Sequence, residues 1–406
     1  MAQQNSASNV SGISQKMSAF INRSSWIRKM FEEGTKLKKQ FGADQVCDFS
    51  LGNPDLSPPD DFFDALSDIS SNNPSGIHGY MANAGFEECR EAIAGLASQQ
   101  QQIKIPARDI TMTCGAAGGL NIIFKAILDP GDEVVVPSPF FVEYGFYVDN
   151  HGGVLKPVQC LPDFSLDLSS IEANITPKTK AILINSPNNP SGAVYDQSSL
   201  QQLASILTDA SAKYSRPIYL ISDEPYRRLS FDHVDVPPIL NCYNNSIVTT
   251  SFSKDLSIPG ERIGYVALNP DASDHDNLLN ALILANRILG FVNAPAISQR
   301  IVSKCLHSCV DVSIYQARRD KLAEILSGAG YEFTMPRGAF YFFPKTPIED
   351  DKKFVDILRE ERILAVPGSG FGAPGYIRIA FCVGDDVIER SKEGFERAIN
   401  KARALK

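Results

Sequence analysis

The stretch SIVTTSFSKDLSIPGERIGYVAL occupies residues 246–268. Two apolar runs, SIVTTSF (246–252) and IGYVAL (263–268), flank a polar turn. That turn carries one amine, Lys254, with Ser251 and Ser253 just before it and Arg262 eight residues on. Short runs that are apolar at consecutive positions predict strands covered on both faces, as in a mostly parallel sheet with crossover helices. DEVVVP (132–137), AILIN (181–185) and IYLIS (218–222) read the same way, with helical segments between them. The expected class is α/β, with this sheet built from about residue 110 to 266.

In open parallel sheets, ligands bind outside the carboxyl ends of the strands. After AILIN comes SPNNPSG (186–192), after IYLIS comes DEPY (223–226), and after SIVTTSF comes Lys254. An amide, a carboxylate with a phenol, and an amine thus converge on one expected crevice. A fourth element, TMTCGAAGGLNIIFKAIL (111–128), opens an apolar helix with small residues. The free amides of such a helix start favour a phosphate. Taken singly, each feature is ordinary. A lysine after a strand is usually solvated, GAAGG lacks the GxGxxG spacing of a dinucleotide loop, and NNPSG and DEPY read as plain turns. Together they fit one cofactor, pyridoxal 5'-phosphate, whose aldehyde takes an amine and whose ring nitrogen takes a carboxylate.

A chain of 406 residues exceeds the roughly 250–300 at which single cores stop growing, so two domains are expected. The polar leader over 1–15 reads as disordered rather than as a signal peptide. A helix with Ile27, Met30, Phe31 and Leu37 on its apolar spacing opens an N-terminal segment, 16–50, expected to pack with the smaller domain. Residues 51–300 form the large domain. Residues 301–406 change rhythm to a helix (314–327), strands in YEFTM, AFYFF and YIRIAF, and a closing helix (387–404), a smaller α+β domain. VPGSGFGAPG (366–375) leads into a strand rather than a helix and reads as structural. A net charge of −8 argues against nucleic acid or an anionic membrane as partner, and no window reaches the ~18 apolar residues of a membrane span. Eight cysteines without a CxxC read as reduced thiols of a cytoplasmic protein. KCLHSC (304–309) sets Cys305 and Cys309 one helical turn apart around His307, which reads as helix packing; no metal site is expected.

The ordered set GAAGG, NNPSG, SDEPY, SFSK, GERIGY and IRIAF resembles the class I aminotransferases of the aspartate aminotransferase superfamily, from about Asp48 to the C-terminus. The resemblance implies fold type I: a seven-stranded, mostly parallel sheet sandwiched by helices in the large, pyridoxal-phosphate-binding domain, plus the smaller domain. It implies that Lys254 is the Schiff-base lysine and that Asp223 pairs with the ring nitrogen. Tyr226 and Asn189 match the groups that bond the ring's 3' oxygen. Ser251, Arg262 and the backbone of Ala116 and Ala117 match phosphate ligands, with Ser253 in the same cofactor-binding set. Phe141 is the expected ring-stacking aromatic, with adjacent Phe140 as the alternative. Tyr80 resembles the tyrosine that reaches the neighbouring subunit's phosphate, which implies a homodimer with shared sites. Arg378, mid-strand in YIRIAF, matches the arginine that grips the substrate α-carboxylate with a fork lysine cannot reproduce, and Gly52 lies beside it. Asn189 also belongs to that substrate-binding group.

The activity implied is transfer of an amino group from an L-amino acid to a 2-oxo acid by a ping-pong mechanism. The same apparatus serves lyases and synthases, such as cysteine-conjugate β-lyases and aminocyclopropane-carboxylate synthases, which remain the alternative. Donor identity stays open. The position where one branch of the family carries a lysine is Ala117. Where another carries an arginine from the partner, this chain has Ile288, with Arg287 one residue off.

Overall fold

A computed structural model describes residues 12–22, 26–72 and 75–405. Most of the leader expected over 1–15, residues 1–11, lies outside the described residues, and Gln15 already opens a helix, Gln15–Asn22.

Seven strands form the principal sheet. Their spatial order is Ile110–Thr113, Gly264–Leu268, Ser246–Ser251, Tyr219–Asp223, Thr179–Asn185, Glu133–Ser138 and Val154–Gln159. Gly264–Leu268 runs antiparallel to both of its neighbours, and every other pairing is parallel. The class is α/β with a mostly parallel sheet, as the apolar runs predict. Their continuity has a direct cause in the packing. Val134 and Val136 enter one buried core while Val135 enters another, and Ile182 and Ile184 oppose Ala181 and Leu183 in the same way. Successive side chains alternate faces, so a strand with helices on both sides must be apolar at every position.

A third core is built from residues 310–402 together with Met30, Cys47, Phe49, Phe164, Tyr226, Leu229 and Phe231. It surrounds a three-stranded antiparallel sheet in the order Val366–Pro367, Ile377–Ala380, Tyr341–Phe342. A parallel pair, Cys47–Asp48 with Ile363–Leu364, ties the N-terminal segment to this region. Ahead of it, Phe20 of the helix Gln15–Asn22 packs edge-on against Phe146, 4.9 Å between ring centroids, in the helix Tyr144–Asn150 beside the large sheet.

Two local expectations are corrected. YEFTM forms no strand: it follows the left-handed cap at Gly330 (φ 86°), precedes Pro336, and is tied to the rest by isolated bonds such as Lys345 N–H to the Glu332 carbonyl, 2.9 Å. KCLHSC is not helical, because the helix Ala296–Val302 ends before it. The Arg228 guanidinium satisfies the carbonyls of Leu306, His307 and Ser308 instead. Among the described residues no group of His, Cys, Asp and Glu could hold a metal ion, and no helix is long and apolar enough to cross a membrane.

Candidate active site

The parallel strands end at one edge of the large sheet, and the loops beyond them meet around a cavity of about 250 Å³. Nine of the residues singled out in the sequence line it: Gly52, Ala116, Ala117, Phe141, Asn189, Asp223, Tyr226, Lys254 and Arg378. Ser251, Ser253, Arg262 and Tyr80 do not. Ser251 and Ser253 are buried, Ser251 pairing with Gly264 and bordering a separate small cleft beside Glu224. Arg262 is exposed, yet a Cβ on Gly115 would sit 2.9 Å from its Nη2, so its guanidinium lies against the start of the helix Gly115–Ile127. Tyr80 is 93% exposed.

Asp223 closes its strand and is buried. Its Oδ2 accepts a 2.6 Å bond from the Tyr144 hydroxyl, while its Oδ1 is buried without a partner among the described residues. Burial pushes the carboxyl up to about 7, against the Tyr144 bond, which favours the anion. Asn185 locks the local backbone, donating to the Asp223 carbonyl at 2.7 Å while its Oδ1 accepts from the Asn189 amide at 2.7 Å.

Lys254, three residues past its strand, donates to the Gly52 carbonyl at 2.6 Å. Burial pulls its amine down to about 8, and the Arg378 and Arg262 charges act in the same direction. A lysine so placed is neutral in part at neutral pH and can act as base or nucleophile. Arg378 is buried, and burial lowers its pKa. Its Nη1 donates to Asn189 Oδ1 at 3.1 Å and its Nη2 to the Ser50 carbonyl at 2.6 Å, while Nε has no partner and no carboxylate of the described residues pairs with it. A buried cation without a counter-ion is costly, so the position suits an anionic ligand.

The helix Gly115–Ile127 begins without a side-chain cap, leaving its first-turn amides at Ala116 and Ala117 open to an anion. Of the two adjacent phenylalanines, Phe141 reaches the cavity, edge-on to Tyr144 at 5.5 Å, while Phe140 lies against Gly372. The residues present therefore suit a group with an aldehyde, a basic ring nitrogen and a phosphate. Arg287 and Ile288 are exposed and do not line the cavity.

Tyr144 and Tyr341, which also line the cavity, went unrecognised in the sequence. Tyr144 lies in FFVEY, where the expected site residue is Phe141, and Tyr341 lies in AFYFF, which reads as a strand. The one available signal was the spacing of three between Phe141 and Tyr144.

The family described as aminotransferase class I and II matches residues 44–391. An Aquifex aeolicus chain named as a probable aspartate/prephenate aminotransferase is 34% identical over 371 residues, covering 88% of this chain and 91% of that one. An amino transferase structure from Eubacterium rectale superposes with a TM-score of 0.93 at 37% identity, over 97% of this chain and 99% of that one. The aspartate aminotransferase of Thermus thermophilus with maleate gives 0.85 at 28% identity, over 96% and 100%.

Proposed function

The chain belongs to the class I and II aminotransferases, and on that premise we propose that it moves the amino group of an L-amino acid to a 2-oxo acid with pyridoxal 5'-phosphate held in the cavity beside Lys254. The observation that carries the reading is the sharing of one cavity by a depressed lysine amine, a buried carboxylate oxygen without a partner, and a buried arginine without a counter-ion. Once bound, the cofactor supplies an aldehyde and an electron-accepting ring. The chain's own residues do the rest. Asp223 Oδ1 would hold the ring nitrogen, Tyr226 and Asn189 the 3' oxygen, and Phe141 the ring face. Ala116, Ala117, Ser251, Ser253 and Arg262 would surround the phosphate. Arg378, with Gly52 and Asn189, would fix the substrate α-carboxylate and so the direction of the Cα–H bond, positioning that supplies several kcal/mol. Lys254 would take and return the proton at Cα.

We also read Tyr80 as a contribution to the neighbouring site of a homodimer. Its exposure supports this, as do the exposed apolar side chains Phe63, Leu66, Leu284 and Ile288. The cores support a large domain and a small one that recruits part of 16–50, with the boundary moved from 300 to just before Val310, because Ile301, Val302, Cys305 and Leu306 pack in the core of the large sheet. The free cysteines suit a cytoplasmic setting. Names of relatives favour a dicarboxylic donor, whereas Ala117 supplies no cation for one.

Single amino acids, mixed one at a time with the protein and no oxo acid, test the reading. Conversion of the cofactor to its amine form with one oxo acid released per site is expected, and it ranks the donors. Many turnovers of pyruvate with an unchanged cofactor spectrum would assign the site to a lyase or synthase.

A further inference from the structure

Two phenols meet at the wall of the cavity. Tyr226 and Tyr341 are both buried, with hydroxyl oxygens 2.8 Å apart. Tyr226 follows the strand Tyr219–Asp223 of the large sheet, whereas Tyr341 lies in the small sheet, on the strand beside the one that carries Arg378. The surroundings leave Tyr341 little freedom. A Cβ on Gly52 would overlap its hydroxyl, and the Arg378 guanidinium sits 4.7 Å from its ring centroid. Its ring stands edge-on to that of Tyr226, 5.8 Å between centroids.

We propose that Tyr341 is a positioning residue that fixes, through this hydrogen bond, the direction in which Tyr226 offers its proton to the cofactor. The inference rests on the reading of the cavity as a pyridoxal phosphate site. A phenol has one proton to donate, and its O–H can rotate to either side in the ring plane. If Tyr226 donated to Tyr341, nothing would remain for a ligand oxygen. With Tyr341 as donor, the Tyr226 oxygen is satisfied as an acceptor and its proton is turned to the ligand. Accepting a bond also polarises the Tyr226 O–H and makes it a stronger donor. A stronger donor favours the more negative state of the oxygen it faces. Weakening it therefore moves the pH titration of the bound chromophore to higher pH.

The test is a double-mutant cycle on the holoenzyme, read as the midpoint of the visible absorbance titration of the bound cofactor. Tyr341→Phe keeps the ring and its packing, and circular dichroism confirms the fold. We expect this variant to raise the midpoint by about half a pH unit in the native background and to leave it unmoved in Tyr226→Phe. Equal shifts in both backgrounds would show that Tyr341 does not act through Tyr226, and no shift in the native background would show that it does not act at all. Either result overturns the proposal alone. A native protein without a cofactor band overturns the cofactor reading and this proposal with it.

Discussion

Two opposed influences set the charge on Asp223. Burial favours the neutral acid, and the one hydrogen bond on its carboxylate among the described residues, from Tyr144, favours the anion. Removing that donor should tip the balance. In Tyr144→Phe the carboxyl of the cofactor-free protein should titrate above the present value of about 7. Cofactor affinity at neutral pH should fall by about three- to ten-fold, with the deficit growing toward lower pH. Infrared titration of the carboxyl and a binding isotherm check this; an unchanged isotherm at pH 6 and 7 would contradict it. The same displacement has a stability signature. The folded chain holds a proton on Asp223 between roughly pH 4 and 7 that the unfolded chain has lost, so Asp223 makes cofactor-free stability decline as pH rises through that window. At this scale the sequence is legible where a residue's chemistry is at odds with its place, as with an amine or carboxylate at a strand end. Tyr144 and Tyr341 were hidden because a phenol within an aromatic run resembles its apolar neighbours until its hydroxyl partner is seen.

The helix Gly115–Ile127 is placed by close approach rather than by bulk. A Cβ at Gly119 would overlap Thr249 Oγ1 and come within 3.1 Å of Val266, so the helix rests directly on the strands Ser246–Ser251 and Gly264–Leu268. Gly119→Ala should push the helix outward, destabilise the protein by about 1–3 kcal/mol, and weaken cofactor binding, because the open amides at Ala116 and Ala117 move with it. A thermal scan with and without pyridoxal phosphate checks both effects. A lower melting temperature with unchanged cofactor affinity would separate the helix position from the phosphate cradle. Elements of this kind were legible in outline: five of the seven strands of the large sheet follow their apolar runs to within one or two residues, whereas Val154–Gln159 has no such run and Ile110–Thr113 is hidden by the helix that follows it. YEFTM and KCLHSC misled because what decides them is distant, a missing ladder partner in one case and the Arg228 side chain in the other.

For the whole molecule, a shared site makes a distinctive demand. If Tyr80 completes its neighbour's phosphate site, Tyr80→Ala and Lys254→Ala subunits each assemble defective sites alone. A hybrid of the two contains one site with both native residues. Random reassociation should therefore recover about a quarter of native sites, and activity on mixing should rise above either parent. A mixture no more active than the parents, with exchange verified by mass, would remove Tyr80 from the site. The two-core sheet was legible at this scale because its central strands are apolar at consecutive positions, even though Ile110–Thr113 finds its partner Gly264–Leu268 far along the chain. The small sheet was less so, since strands of two to four residues carry too short a pattern to fix their ends.

The single reversed strand of the large sheet has one more implication. Its neighbours present their carboxyl ends to the cavity, but Gly264–Leu268 presents its amino end there, with Ser251 paired to Gly264. Arg262, although it precedes a strand, therefore arrives at the same edge that Lys254 leaves. The chain between them never crosses the sheet; it exits and re-enters along one rim. The interval of eight residues is thus the contour length of a rim loop, a distance written in residues. Its measure is set by the gap between an amine and a helix start, and buried Asp255, Leu256 and Ile258 anchor it along the way.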